Sequence, residues 1–327
     1  MKLFISHDSA LTYWREHFPL DSEIGAPAKA SPAESHATQK ADVLAFMPES
    51  WIVPGRPIDV LVSETSTRRQ SQHVRCHLWS SKTPENAYYR DGDVYVSSPE
   101  FTFLQMATML DITQLVALGC ELCGTYTLLP KGRRHPGALD DHPKRTAPLT
   151  NLEKLEVFLA QAGNANGVRK ARRALRYVAE GSRSPMETMV YLLLCLPPML
   201  GGYGLPKASL NPYIPLNEEA QAIARRRHAD GDICWLDEKL DIEYHGDVHV
   251  GLESMHDDVG RAIGIESMGW HVITITGTQV FDMDRFETVA KEAAKHLKRR
   301  LYPRVLGDTP ARRALRDNLE SWMFERE

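Results

Sequence analysis

Acidic residues on either side of a short turn dominate the stretch from Asp232 to Thr276, DICWLDEKLDIEYHGDVHVGLESMHDDVGRAIGIESMGWHVITIT, and carboxylates brought face to face can hold a divalent cation. Ile233 and Trp235 alternate with Asp232 and Cys234, the period of a strand. Beyond Asp237-Glu238-Lys239 the alternation resumes, with Leu240, Ile242 and Tyr244 on one side and Asp241, Glu243 and His245 on the other. A turn centred on Asp237-Glu238 sets Asp232 directly across from Glu243. Cross-strand partners share a face with Cβ atoms about 5 Å apart, and like charges there repel. A bridging cation would neutralise them; an ordinary solvated hairpin face is the alternative, and the spacing leaves both open. Glu187 stands three residues after Ser184 in Ser184-Pro185-Met186-Glu187, the spacing of a capping box, which accounts for it structurally. A carboxylate in the first turn of a helix is also electrostatically favourable, so the same residue can serve a cation.

Basic residues form arrays of their own. Arg169, Arg172, Arg173 and Arg176 fall at i, i+3, i+4 and i+7, which places their guanidinium groups on one helix face. Val168, Ala171, Leu175 and Val178 supply a separate apolar stripe. Arg225-Arg226-Arg227-His228 precedes Asp232 closely, and Lys298-Arg299-Arg300 closes a later helical segment. Such arrays bind phosphate backbones through charge and counterion release. For any one of them a solvated helix face is the plainer reading.

The elements that must position these residues follow from length and pattern. A chain of 327 residues predicts two domains. A formal charge of −4 exerts no global attraction on nucleic acid, so binding of that kind rests on the local arrays. No run of about 18 apolar residues exists, so no membrane association is expected. The first residues lack the features of a secretion signal, and 5 cysteines fit a reducing cytosol better than a disulfide framework, so a cytoplasmic location is expected. Cys120 and Cys123 have the spacing of half a zinc knuckle that Cys76, His73 and His77 could complete; inside an apolar helical run, packed thiols are the preferred reading. No nucleophile elbow, phosphate-binding Walker loop or dinucleotide fingerprint is present, and Gly201-Gly202-Tyr203-Gly204 reads as a turn.

Along the chain, a helix is expected at His7 to Glu16, a loop over 24–41, and strands that include Ile58 to Val62 and Val94-Tyr95-Val96. Ser98-Pro99-Glu100 begins helical patterning that runs to about Cys123. Residues 130–149 are rich in proline and charge and read as a linker. Helices are predicted near 151–162, 167–180, 185–196, 284–300 and 309–323, with the strand–strand–helix–strand region between the third and fourth.

The region from Ser184 to about Thr278 resembles the very-short-patch-repair-like branch of the PD-(D/E)xK nuclease superfamily. That branch has a helix with an early glutamate, an aspartate-bearing strand, and a strand ending in Glu-x-Asp-Gly-x-x-His. A helix with Asp-x-x-Arg follows, then Gly-Trp and a final strand. Glu187, Asp232, Glu243 to His249, Asp258 with Arg261, and Gly269-Trp270 fill those places in this chain. His245 departs from the pattern, standing where the branch usually has aspartate and the wider superfamily lysine. The resemblance implies metal-assisted phosphodiester hydrolysis with Mg²⁺ (or Mn²⁺) held by Asp232 and Glu243 and with Glu187 as a further ligand. It implies His245 as the group that orients or deprotonates water and His249 as a donor to phosphate or leaving oxygen. Arg261, with Arg226 and the Arg169, Arg172, Arg173 and Arg176 face, would bind nucleic acid, DNA foremost; pairing with Asp258 is the structural alternative for Arg261.

The preceding portion resembles the body of abortive-infection type IV antitoxin-like proteins, through SHDSALTYWR near the start, VSSPEFTFLQMATML at Val96 to Leu110 and GSRSPMET at Gly181 to Thr188. The winged helix usual in such proteins is not expected ahead of SHDSAL, which weighs against a promoter-binding repressor role. The implied organisation is an α/β antitoxin-like domain over 1–129, a loop over 130–150 and a basic helical connector over 151–183. A restriction-endonuclease-like α/β domain over 184–303 and a terminal helix over 304–327 complete it. The function expected is a metal-dependent nuclease in a prokaryotic defence or toxin–antitoxin setting, with a cognate toxin or antitoxin as protein partner. The alternative is a nuclease fold that has lost turnover and binds or regulates.

Overall fold

The computed structural model describes residues 2–16, 27–35, 41, 43, 56–68, 70–128, 142–246 and 252–324, of which 252–259 are given as backbone only. The protein is α/β, in two compact units that interleave along the chain: 1–122 with 149–176, and 123–148 with 177–327. The helices over 152–161 and 168–175, expected in a connector, therefore belong to the first unit, and 123–148 belongs to the second. Among the described residues no helix is long and apolar enough to cross a membrane.

The first unit is built on a six-stranded mixed sheet. Its strands are β1 (Leu3–Ile5), β2 (Pro27–Ala28), β3 (Ile58–Val62), β4 (Val74–Leu78), β5 (Tyr88–Asp91) and β6 (Val94–Ser97), in the order β2-β5-β6-β1-β3-β4. β1 runs parallel to β6 and β3 to β4, while β1 and β3 are antiparallel. β3 is buried along its whole length, which is why it reads as a continuous apolar run broken only by Asp59. The core joins Leu3, Ile5, Trp14, Val60, Val62 and Val96. Part of the stretch expected as a loop is thus a strand, and Ser31 and Glu34 form a capping box after it.

The helical patterning from Pro99 breaks into two helices, Pro99–Met106 and Ile112–Leu122. Asp111 causes the break, since its Oδ1 accepts from the backbone N–H groups of Thr113 and Gln114 and starts a new helix. Where β1 passes into the His7–Glu16 helix, His7 takes a left-handed φ of 49°. Its ring stacks on His77 at 3.6 Å, and His77 Nε2 lies 2.7 Å from the buried Asp59 Oδ1. Burial pushes the His7 imidazole well below its ordinary value, and the charges of His77 and Arg75 act the same way.

In the second unit the helix Pro185–Cys195 precedes a four-stranded sheet of β7 (Ser209–Leu210), β10 (Ile233–Trp235), β11 (Leu240–His245) and β12 (His271–Thr276), ordered β12-β11-β10-β7. β10 is antiparallel to both neighbours, and β11 is parallel to β12. Parallel neighbours need a crossover, which the helix Leu252–Ser267 supplies. A small hairpin of β8 (Tyr213–Pro215) and β9 (His228–Asp230) and the helix Glu218–Ala224 lie between β7 and β10 in sequence. Gly264 allows the crossover helix to approach Glu218–Ala224 closely, because a Cβ there would meet the Ala224 Cβ at 3.1 Å. Gly201-Gly202-Tyr203-Gly204 is a turn, with Gly201 at φ 93° and Gly202 against the Leu196 carbonyl. Cys123 and Thr125 join this unit by backbone bonds, Thr125 N–H to Ser182 O at 2.8 Å and Gly181 N–H to Cys123 O at 3.1 Å.

Candidate functional site

The hairpin register is the one a turn centred on Asp237-Glu238 requires. Ile233 pairs with Ile242, Cys234 with Asp241 and Trp235 with Leu240, so Asp232, one residue before β10, is opposite Glu243. The backbone N–H of Tyr244 donates to Asp232 Oδ2 at 2.8 Å, which locks the aspartate against β11. Burial pushes the Asp232 carboxyl well above the carboxylate range, and the negative charges of Glu187, Asp241 and Glu243 push it further; only the Tyr244 bond opposes them. Four carboxylates from one helix start and one hairpin thus act on a single locality.

Ser184 caps the helix that carries Glu187, its hydroxyl accepting from the Glu187 N–H at 3.1 Å. Glu187 does not close the box on Ser184. Its Oε2 accepts from the backbone N–H of Arg183, one residue further out, at 2.8 Å and from Asn211 Nδ2. Asn211, in a left-handed turn after β7 at φ 47°, also donates through its own N–H to the Asp232 carbonyl at 2.9 Å. One residue therefore ties the glutamate to the aspartate strand. Sequence reasoning missed it, although Asn211-Pro212 is a recognisable turn signal. Burial raises the Glu187 carboxyl against the bonds from Arg183 and Asn211, which lower it.

Arg261 changes the electrostatics of the cluster. Its NH1 and NH2 groups donate to the two Glu243 oxygens at 2.6 and 2.8 Å, a bidentate pair, and NH1 also donates to the Asp230 carbonyl at 2.9 Å. Glu243 itself is 2% exposed. Burial acts to lower the Arg261 value, yet the charges of Glu243, Asp232 and Asp241 hold it above the ordinary range. The cation that offsets the like charges across the hairpin is thus a guanidinium from the crossover helix. Glu243 holds the Arg261 fork in this structure, so the site expected to clamp phosphate is turned inward. The side chain of Asp258, its other expected partner, lies outside the described residues.

Asp241 is the second residue that sequence reasoning passed over. It is 0% exposed, Cys234 Sγ donates to its Oδ1 at 3.2 Å, and its Oδ2 has no hydrogen-bond partner among the described residues. Burial, with the charge of Glu243 behind it, pushes its carboxyl up to about 7. Gly231 makes room for that oxygen, since a Cβ there would sit 2.6 Å from Asp241 Oδ2. Its position on the same strand face as Glu243 was readable from the alternation; its burial was not.

His245 is half-exposed, its Nε2 3.6 Å from Glu243 Oε2. His249 lies outside the described residues. Among the described residues no three His, Cys, Asp or Glu side chains are arranged as a ready metal site. The donor chemistry nevertheless suits a hard divalent cation. Every acidic group present offers carboxylate oxygen, and Asp241 Oδ2 is a buried oxygen with no geometric hydrogen-bond partner among the described residues. With Arg261 on both Glu243 oxygens, the cluster as it stands is closed.

The arginine face lies on the helix Val168–Leu175, shorter than the expected 167–180, with Arg176 as its C-terminal cap. Arg169, Arg172, Arg173 and Arg176 are all exposed, as the spacing requires. Arg172 is partly committed, donating to the Leu159 carbonyl at 2.7 Å. Arg226 is exposed, next to Arg225, which ends the Glu218–Ala224 helix in a left-handed conformation. Comparison with protein-family models, curated proteins and solved structures finds no match for the chain.

Proposed function

We propose that the second unit is a restriction-endonuclease-like domain that hydrolyses phosphodiester bonds of nucleic acid, DNA foremost, with Mg²⁺ or Mn²⁺, in a prokaryotic defence or toxin–antitoxin setting. The observation that carries this reading is the concentration of buried carboxylates, Glu187, Asp232, Asp241 and Glu243, at a cost in electrostatic free energy. Buried carboxylates with shifted values gather at functional sites, and a metal-dependent phosphodiesterase uses such a group. The order of helix, hairpin, crossover helix and final strand supports it, with Glu187 on the helix, Glu243 on β11 and Arg261 on the crossover helix.

Asp232 and Glu243, with Glu187, would hold the metal. When bound, the ion polarises the phosphoryl oxygen and makes its water more acidic. Asn211 and the Tyr244 N–H fix the directions of Glu187 and Asp232. His245, half-exposed at the end of β11, is placed to orient the attacking water or take its proton. With a metal on Glu243, Arg261 would be released from that carboxylate and could pair with a substrate phosphate through the same fork.

The Arg261–Glu243 pair also favours a second reading, a nuclease fold without turnover that binds nucleic acid or a cognate toxin or antitoxin, with the guanidinium as permanent counter-ion. Incubating the chain with single- and double-stranded DNA and RNA in Mg²⁺ and in Mn²⁺ separates the two. Hydrolysis requires cleavage by the parent and its loss in Asp232→Ala and Glu243→Ala variants that remain folded. An inert parent that retains affinity for nucleic acid leaves the binding reading.

A further inference from the structure

Away from the acidic cluster, the second unit has a cavity of about 620 Å³ between the Pro197–Leu205 turn and the 299–305 segment. Its volume lies within the range of small-molecule sites, roughly 300–1,000 Å³. Two motifs singled out in the sequence meet there: the Gly201-Gly202-Tyr203-Gly204 turn and the basic run that ends in Arg299-Arg300.

The lining has an unusual balance. Arg299, Arg300 and Arg304 all contribute, and no acidic residue does. Several other arginines of this unit pair with carboxylates: Arg183 with Asp230, Arg261 with Glu243, Arg285 with Asp282, Arg312 with Glu287 and Arg313 with Asp308. None of the three cavity arginines has a carboxylate partner among the described residues. Arg300 and Arg304 instead each stand 5.5 Å from the centre of the Tyr302 ring. That ring is 52% exposed, and Met199 across the cavity is 74% exposed. Tyr203, 2% exposed, completes the lining, and its hydroxyl has no hydrogen-bond partner among the described residues.

Three exposed guanidinium groups without a carboxylate partner among the described residues, two of them beside the Tyr302 ring, attract an anion, and their planar forks match phosphate oxygens in pairs. Apolar walls and an exposed aromatic ring need a flat apolar body, which inorganic phosphate does not have. Stacked bases joined to phosphate satisfy both demands, since bases stack on tyrosine rings and on guanidinium planes. We infer that this cavity binds a nucleoside phosphate, with the base at Tyr302 and the phosphate at Arg299, Arg300 and Arg304. The source is either a free nucleotide or one unit of a single strand.

The inference is independent of hydrolysis at the acidic cluster and is tested with metal chelated. The full chain is titrated calorimetrically at low salt with inorganic phosphate, a mononucleotide and a short single-stranded oligonucleotide. The nucleotide is expected to bind about tenfold more tightly than inorganic phosphate, the scale of one stacking contact. Tyr302→Ala removes that advantage, Tyr302→Trp keeps it, and Arg299→Ala with Arg304→Ala weakens nucleotide and phosphate alike. An oligonucleotide equal to the mononucleotide marks a free-nucleotide site, and a tighter oligonucleotide that the same variants weaken marks a strand site. Absence of nucleotide and oligonucleotide binding, or binding that none of these changes alters, overturns the inference.

Discussion

Arg261 and Glu243 form a bidentate ion pair across the gap between the crossover helix and β11, with contacts of 2.6 and 2.8 Å, and Glu243 has almost no contact with solvent. Removing one member of such a pair leaves a buried charge without compensation, a loss of roughly 3–5 kcal/mol. Arg261→Ala should lower the unfolding midpoint sharply. If the cluster accepts a metal once the guanidinium is gone, Mg²⁺ should raise the midpoint of this variant more than that of the parent. Equal responses in thermal melts would show that Arg261 does not stand in the place of a metal.

Asp241 gives a pH-dependent effect of opposite sign to an ordinary salt bridge. Its carboxyl is raised to about 7, so the folded state holds a proton that the unfolded chain releases. The stability associated with this group is complete below the ordinary carboxylate value and is lost as pH rises to about 7. Asp241→Asn should therefore stabilise the protein at pH 8, by on the order of 1–3 kcal/mol, and change little near pH 4. Denaturant melts at the two pH values check it; destabilisation at pH 8 would refute it.

His7 titrates in the other direction. Its imidazole is held well below the ordinary histidine value, so acid protonates the unfolded chain first. Its contribution is complete above about pH 6.5 and fades as pH falls toward the depressed value. Asn tolerates the left-handed φ of 49° at this position, so His7→Asn should leave the backbone intact and flatten the decline between pH 7 and 5. A parallel decline in parent and variant would exclude His7 as its source.

The imidazole of His245 is a poorer ligand for Mg²⁺ than a carboxylate and a better one for softer ions. Cleavage by the parent, where present, should run faster in Mn²⁺ than in Mg²⁺, and His245→Asp should raise the Mg²⁺-supported rate. A variant with no gain in Mg²⁺ would remove His245 from the metal's surroundings.

The exposed arginines separate by what they already touch. Arg169→Ala with Arg173→Ala should weaken nucleic-acid affinity uniformly across sequences and reduce the salt slope by about 1 per lost phosphate contact. Arg172→Ala should in addition cost about 1 kcal/mol of stability, because it gives up its bond to the Leu159 carbonyl. Filter binding over a salt series reads the first effect, and melts read the second.

The hairpin was legible because a period of two fixes both the facing residues and the register, and β10 and β11 follow it residue for residue. The pairing of Arg261 with Glu243 was not legible. It joins a strand to a helix 18 positions on, and the phase of that helix is set by its packing through Gly264 against Ala224. Asp241 looked like its strand-mates because alternation assigns a face without saying how deeply it is covered. The helix break at Asp111 was present in the sequence as a capping residue, but apolar residues on both sides masked it. The unit boundaries were hidden for a different reason: composition marks where a chain is loop-like, and it carries no sign of which body a segment returns to.

That return has a consequence for synthesis. The first unit lacks its last two helices until residue 176 has been made, and by then the 123–148 segment, which belongs to the second unit, has already been produced. Domains fold as units during translation, N-terminal first. Here Cys123 and Thr125 are made before the last residue of the N-terminal unit, and their backbone partners Gly181 and Ser182 after it. Until Gly181 and Ser182 have been made, the backbone groups of Cys123 and Thr125 lack the partners they have in the finished protein.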